Sequence, residues 1–547
     1  MGITRRLLVP GVCAAMALVV LAPLLGRGFT LAYDMVFVPR QDLLPATLGL
    51  GSALPRAVPG DAVVAVLTHL VPGDLLQQVI LAAALFAGPL GAARYLDGEA
   101  TGVRLVTAVA YGWSGFVAER LFIGHWPYLL TYACLPWIAR AARTLRTPRD
   151  AAALTLLSAP AVLTPTGGIL AAGVAIVCGG TRKLWLTATI AVLLNAPWWV
   201  PALLHPGSTL SDPAGVTAFG ARGESWGGAF TSLLGLGGIW NAEVVPASRT
   251  NPVVPVIILA MTAVAVVGMR RLPRPMVGLG LAGLVLALVG GTPVLGWVVE
   301  HVPGGGLLRD SQKWVAWWAL PFALGFALGA GKIASASRRG RTALLAAAAI
   351  IPIAIMPDLA WAGWGRLASV DYPPDWAAVR QILETSDHPG DVVALPLGSF
   401  RQFGWNGERT QYDPAPQYLP RTTVVDDTLV VDGRAVPGED ARAAAVRDAV
   451  TQGRDLAELG IGWVLVEHGT PGRIDGNVAK PDERIYHGRW LDLYQLGGPL
   501  RPDTTGRPPK APVIIADVLA LATVMLSLLW LVLPAGSLGR SSSRTRE

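Results

Sequence analysis

The stretch LAYDMVFVPRQD, residues 31–42, follows an apolar run long enough to cross a bilayer. It carries Asp34, Arg40 and Asp42 where a chain leaving hydrocarbon normally sheds charge. Three distant stretches are of the same kind. AERLFIGHWPY holds Glu119, Arg120, His125 and Trp126. SDPAGVTAFGARGESWGG, continuing to GGIWNAEVVPASR, holds Asp212, Arg222, Glu224, Trp226, Trp240, Asn241, Glu243 and Arg249. LLRDSQKWVAWW holds Arg309, Asp310, Gln312 and Lys313. A carboxylate in hydrogen-bond reach of a hydroxyl can take its proton as that oxygen attacks. Fixed Arg, Lys or His stabilises charge developing on a departing phosphate. Tryptophan faces stack on the CH faces of sugars, and Asp, Glu and Asn pair with hydroxyls. Such a set suits transfer of a sugar from a lipid-linked phosphate. Taken singly, each residue has a plainer reading. Arg and Trp anchor span ends, which is enough for Trp137, Trp185 and Trp314, and Asp34 could cap a short helix. The joint pattern is what points to chemistry.

For that pattern to form, all four stretches must reach one membrane face. Of 547 residues, 52% are hydrophobic and 15% charged, with mean hydropathy +0.48. Soluble chains carry about 25% charged residues, so this is a polytopic membrane protein. The net charge of +7 lies in clusters between apolar runs, as the positive-inside rule requires, and does not call for nucleic acid. Arg140, Arg143, Arg146 and Arg149, TRK at 181–183, RRLPR at 270–274, KIASASRRGR at 332–341 and the tail SLGRSSSRTRE mark the cytoplasmic side. The expected spans run at about 7–25, 76–94, 104–121, 128–141, two short helices within 151–180 broken at TPTGG, 184–203, four more up to Pro357, and 511–533. That makes about twelve, with both termini cytoplasmic and the first span retained rather than cleaved as a signal. All four charged stretches then fall outside the cytoplasm.

Residues 358–510 change character. PGDVVALPLG and GIGWVLVEHG read as buried strands, and DWAAVRQILE and ARAAAVRDAV as amphipathic helices. The expected division is a transmembrane domain at 1–357, an extracytoplasmic α/β domain at 358–510, a final transmembrane helix at 511–533 and a cytoplasmic basic tail at 534–547. Cys13, Cys134 and Cys178 lie in apolar runs and read as small core residues. The glycines of VPGGGLL lack the strand–turn–helix setting of a nucleotide site, and HExxH, CxxC and GxSxG are absent. No metal ligands are assigned, and a divalent cation is the one cofactor left open.

A carboxylate in the first loop, many spans and an α/β region before the last span resemble the GT-C glycosyltransferases. AFGARGESWGGAFTSLLGLGGIWN with PASR behind it, and LLRDSQKWVAWWALP, are similar to the arabinofuranosyltransferases of the actinobacterial cell envelope. GHWPYLLTYACLPW has a weaker parallel in other GT-C-like proteins. The resemblance covers most of residues 1–357. It implies a polyprenyl-phosphate sugar donor, a cell-envelope glycan or glycolipid acceptor, a place in the plasma membrane, and a first-loop aspartate as base, which carries over to Asp34. Many GT-C enzymes pair two acidic residues in that loop, whereas here Asp34 and Asp42 stand eight positions apart, so either is a candidate base. Arg40, Arg120, His125, Arg309 and Lys313 are the candidates for the donor phosphate. Glu119, Trp126, Arg222, Glu224, Trp226, Trp240, Asn241 and Asp310 are those for sugar and acceptor. The competing readings are a transporter or flippase of a lipid-linked glycan, suggested by the broken TPTGG segment, and a non-catalytic glycan-binding scaffold.

Overall fold

The computed structural model describes residues 2–206, 211–336, 339–431, 433–472, 484–501 and 506–533, so the tail expected at 534–547 lies outside the described residues. Five helices are long and apolar enough to cross a membrane: Arg6–Leu24, Gly73–Tyr95, Thr181–Leu204, Ser311–Ser335 and Lys510–Val532. Counting each of two bent pairs as one span gives up to seven among the described residues, fewer than the twelve expected.

The difference has local causes. The expected span at 104–121 is two helices, Thr101–Gly112 and Gly115–Phe122. Between them Ser114 is extended, and its hydroxyl accepts the N–H of Val117, an N-cap that starts a new helix. The second helix has eight residues. It therefore rises about 12 Å, against about 30 Å of hydrocarbon. The two short helices expected within 151–180 are Pro148–Ser158 and Pro165–Gly179, the second capped by Thr164 with Pro165 opening it, and at 11 and 15 residues each is shorter than a span. A bend of 92° divides Arg274–Val289 from Pro293–His301.

The Ser311–Ser335 helix is almost wholly buried in the middle of the helical layer. Gly268 of Val254–Met269 lies so close to it that a Cβ there would overlap the carbonyl of Gly325. Lipid offers no hydrophobic drive for helices to meet, and small residues let the backbones approach closely. The helix's first turn, where Ser311, Gln312 and Lys313 are buried, packs in the same close way on Arg274–Val289, where a Cβ on Gly283 would overlap the carbonyl of Trp314.

The α/β layer is a five-stranded sheet in the order Arg484–His487, Leu491–Gln495, Ile461–Glu467, Asp391–Gly398, Thr423–Asp426. Asp391–Gly398 is parallel to both neighbours, and the other pairings are antiparallel. Alternate residues of its central strands feed two cores. Val392, Ala394, Trp463 and Leu465 pack with Trp376 and Val379 of helix Pro374–Thr385. Val393, Leu395, Val464 and Val466 pack with Val446 and Val450 of helix Ala441–Gln452.

The stretch after the first apolar helix is shared between the layers. Phe29–Thr30 pairs antiparallel with Ser369–Val370. Leu31, Met35 and Phe37 belong to the core of the helices, whereas Val36 and Val38 belong to the core of the sheet.

Candidate active site

Asp34 stands at the tip of a two-residue turn. Ala32 and Met35 exchange backbone hydrogen bonds at 3.3 and 2.9 Å, with Tyr33 and Asp34 between them. Tyr33 has φ 44°, the left-handed value that tight hairpin turns require and that Gly or Asn usually supplies. The tip is seated by the Asp34 N–H, which donates to Ile123 O at 3.2 Å. Gly124, at φ 78°, passes so close that a Cβ would overlap Ala32 O and Met35 N. A glycine here lets the two turns touch, and it delivers the next residue, His125, to the carboxylate.

His125 Nε2 lies 2.6 Å from Asp34 Oδ2, and its Nδ1 lies 2.6 Å from Arg120 Nη1. A guanidinium only donates. Nδ1 therefore accepts, and the ring proton sits on Nε2, donated to Asp34. Arg120 is wholly buried. Nη1 and Nη2 donate to Asp310 at 2.7 and 3.0 Å, Nε donates to Gln312 Oε1 at 3.0 Å, and Nη2 also reaches Gln312. The rings of Phe116 and Tyr128 flank its guanidinium at 5.6 and 5.7 Å. Burial opposes charge on Asp310, but Arg120 outweighs it, with Lys313 adding, and holds this carboxyl well below the usual range.

A second buried group lies beneath. Gln312 Nε2 and the N–H of Ile239 both donate to Glu119 Oε2 at 3.1 Å. Glu224 accepts from Gly238 N–H at 2.6 Å and is paired with Arg249 at 2.6 Å. Glu119 Oε1 is 3.9 Å from the same arginine. Burial and then the neighbouring Glu224 raise the Glu119 carboxyl well above its ordinary value. Burial also works against Glu224, but Arg249 outweighs it and keeps that group below its ordinary value. Arg249 thus favours charge on Glu224 at the expense of Glu119.

Seven of the expected residues come together in this way: Asp34, His125, Arg120, Asp310, Lys313, Glu119 and Glu224. Others do not join them. Asp42 is bound to Arg380 of the α/β layer, and Arg40 to Glu384 at 2.9 Å. Arg309 pairs with Glu439 at 3.0 Å and lies over the Phe219 ring. Trp126 is buried against Phe37, ring centroids 5.2 Å apart. Trp226 is half-exposed and donates its indole N–H to Pro252 O at 2.6 Å. Trp240 packs edge-on against Phe219 and accepts from Arg222 through its carbonyl, and Asn241 accepts the N–H of Glu243. Arg120 stands with the predicted cluster but not free for a phosphate, because all five of its N–H groups are engaged. Sequence reading missed the seat made by Gly124, the ring of Tyr128 and the bond from Tyr33 Oη to Glu243. The tripeptide GHW beside an Arg was the one available sign of the first. Among the described residues no group of three or more His, Cys, Asp or Glu is placed to hold a metal ion.

No protein-family profile matches this chain, and no curated protein does either. Two solved structures are similar. One is the single-particle cryo-EM structure of arabinofuranosyltransferase AftD from Mycobacteria, with TM-score 0.53 and 19% identity over 89% of this chain and 40% of that one. The other is a mutant of the same enzyme, with TM-score 0.53 and 18% identity over 90% and 42%. The likeness is one of fold, and this chain spans about two fifths of the length of the structures it matches.

Proposed function

We propose that this chain, which shares the fold of a GT-C-like membrane arabinofuranosyltransferase, moves a sugar from a polyprenyl-phosphate donor to a cell-envelope glycan or glycolipid on the extracytoplasmic face. Arabinofuranose is the first candidate sugar and mannose the next. The observation that carries the reading is the line Asp34–His125–Arg120, an exposed carboxylate held by a histidine that a buried arginine orients.

Asp34 uses one oxygen on His125 and is otherwise exposed. It takes the proton of the acceptor hydroxyl as that oxygen bonds to the anomeric carbon. The bond from that carbon to the phosphate oxygen breaks on the opposite side, with inversion, and polyprenyl phosphate departs. Lys313 is the cation for its charge: its ammonium lies 5.7 Å from the Tyr128 ring, and among the described residues it has no carboxylate within ion-pair distance. In this reading Asp42 serves Arg380, and Asp34 alone takes the proton.

The test uses the full chain in lipid nanodiscs with radiolabelled polyprenyl-phosphoryl arabinofuranose and a synthetic glycan acceptor. Wild type should transfer label, and Asp34→Asn should lose about 10²–10⁴-fold in kcat. Full transfer by Asp34→Asn would sink the assignment. Label that crosses the bilayer without joining acceptor would favour the transporter reading.

A further inference from the structure

The turn that carries Asp34 is gripped on its other side by a part of the chain that the transfer chemistry does not use. A short hairpin of the α/β layer pairs Phe400–Arg401 with Gln411–Tyr412. The Tyr33 N–H donates to Thr410 O at 2.6 Å, and the Tyr412 N–H donates back to Tyr33 O at 2.7 Å. Both polar groups of the residue at φ 44° are thereby fastened, in a conformation a tyrosine rarely adopts. Two residues earlier, Leu31 O accepts from Asn406 Nδ2 at 3.1 Å, and the same amide donates to Gln411 Oε1. Asn406 and Gln411 are fully buried. The hairpin is in turn tied to the sheet, since Arg401 is buried between Asp413, at 2.7 Å, and Glu467 of the central strand Ile461–Glu467.

A left-handed tyrosine costs about 1–3 kcal/mol and persists only where its surroundings impose it. Here the imposing bonds come from the hairpin, while the helical layer contributes the seat at Ile123 and Gly124. Released from the hairpin, Tyr33 would relax toward negative φ and swing the carboxylate away from His125. A displacement of about 1 Å at a reacting group is enough for a loss of about 10²-fold.

We propose that this hairpin, with Asn406 in the segment that connects its strands, is a positioning element that sets the Tyr33–Asp34 turn so that the carboxylate meets His125. The α/β layer is then a template for the base. The inference rests on the proposed role of Asp34.

Two substitutions test it in the full chain in nanodiscs. Asn406→Asp is isosteric and removes the donor to Leu31 O. Tyr412→Pro removes the single N–H given to Tyr33 O. Hydrogen exchange followed by mass spectrometry reads the turn without needing activity. In each variant, exchange in peptides covering residues 29–38 should rise about tenfold or more, with Gly73–Tyr95 and Ser311–Ser335 unchanged. Transfer should fall about 10–100-fold in kcat, with acceptor KM within about threefold. Unchanged exchange at 29–38 overturns the proposal. So does a raised acceptor KM at full kcat, which would make the layer a glycan-binding surface only. If Asn406→Asp does not fold, Tyr412→Pro decides alone. If wild type transfers no sugar yet exchange responds as expected, the transfer reading fails while the positioning role stands.

Discussion

Replacing His125 by alanine should weaken transfer by a definite and bounded amount. The imidazole makes one hydrogen bond to the Asp34 carboxylate, at 2.6 Å, and accepts one from Arg120. A hydrogen bond to a charged group contributes about 1.5–3 kcal/mol. At about 1.36 kcal/mol per decade, its loss from the transition state corresponds to about 10- to 150-fold in kcat. The fold should survive, because Arg120 keeps its bonds to Asp310 and Gln312. The assay is initial-rate transfer at saturating donor and acceptor, with kcat and KM resolved separately. In this scheme His125 acts only by orienting Asp34. The double variant Asp34→Asn/His125→Ala should therefore be no slower than Asp34→Asn alone, a full failure of additivity. Two results would refute the reasoning: a His125→Ala enzyme within twofold of wild type, or a double variant whose losses multiply.

Asp42→Asn should leave kcat within about threefold and cost about 1 kcal/mol or less in stability, since this partly exposed carboxylate serves Arg380; transfer rates and unfolding midpoints check both. Because Asp310 titrates below its unfolded value of about 3.9, its contribution is fully present above that pH and fades as pH falls further. Unfolding midpoints from pH 7 down to 3 should therefore fall more steeply in wild type than in Asp310→Asn, which is the less stable of the two at neutral pH. Glu119→Gln should cost about 1 kcal/mol or less, because the amide oxygen still accepts from Gln312 and Ile239 and the substitution removes a charge that burial and Glu224 both disfavour. Glu224→Leu leaves Arg249 buried without its closest partner and should cost about 3–5 kcal/mol; denaturation of the two variants side by side separates them.

The features that composition and period reveal are local ones. The apolar runs expected at about 76–94 and 511–533 are the helices Gly73–Tyr95 and Lys510–Val532, because hydropathy over a window is a property of the window alone. The gathering of Asp34, Glu119, His125, Asp310 and Lys313 was legible for a related reason. Ionisable groups beside apolar runs are expensive, so the stretches that carry them stand out before any fold is known. Breaks were less legible. Ser114 is one small polar residue in an apolar run, and its cap becomes visible only when its hydroxyl is seen on Val117.

What the sequence by itself determined, then, is a helical membrane protein with an α/β layer and a set of charged stretches that could share one end. Which charges meet was decided by tertiary structure. Asp34 finds His125 91 positions on, and Arg120 finds Asp310 190 positions on. Asp34 and Asp42 look alike as first-loop carboxylates, yet one is left exposed at a turn tip and the other is bound to Arg380, 338 positions away. Gly124 looks like any loop glycine until the 32–35 turn is laid against it. Hydrogen bonds reach about 3 Å and have direction, so their partners follow from how the helical layer and the sheet pack on the shared strand. That packing is a property of the folded chain, not of any window within it.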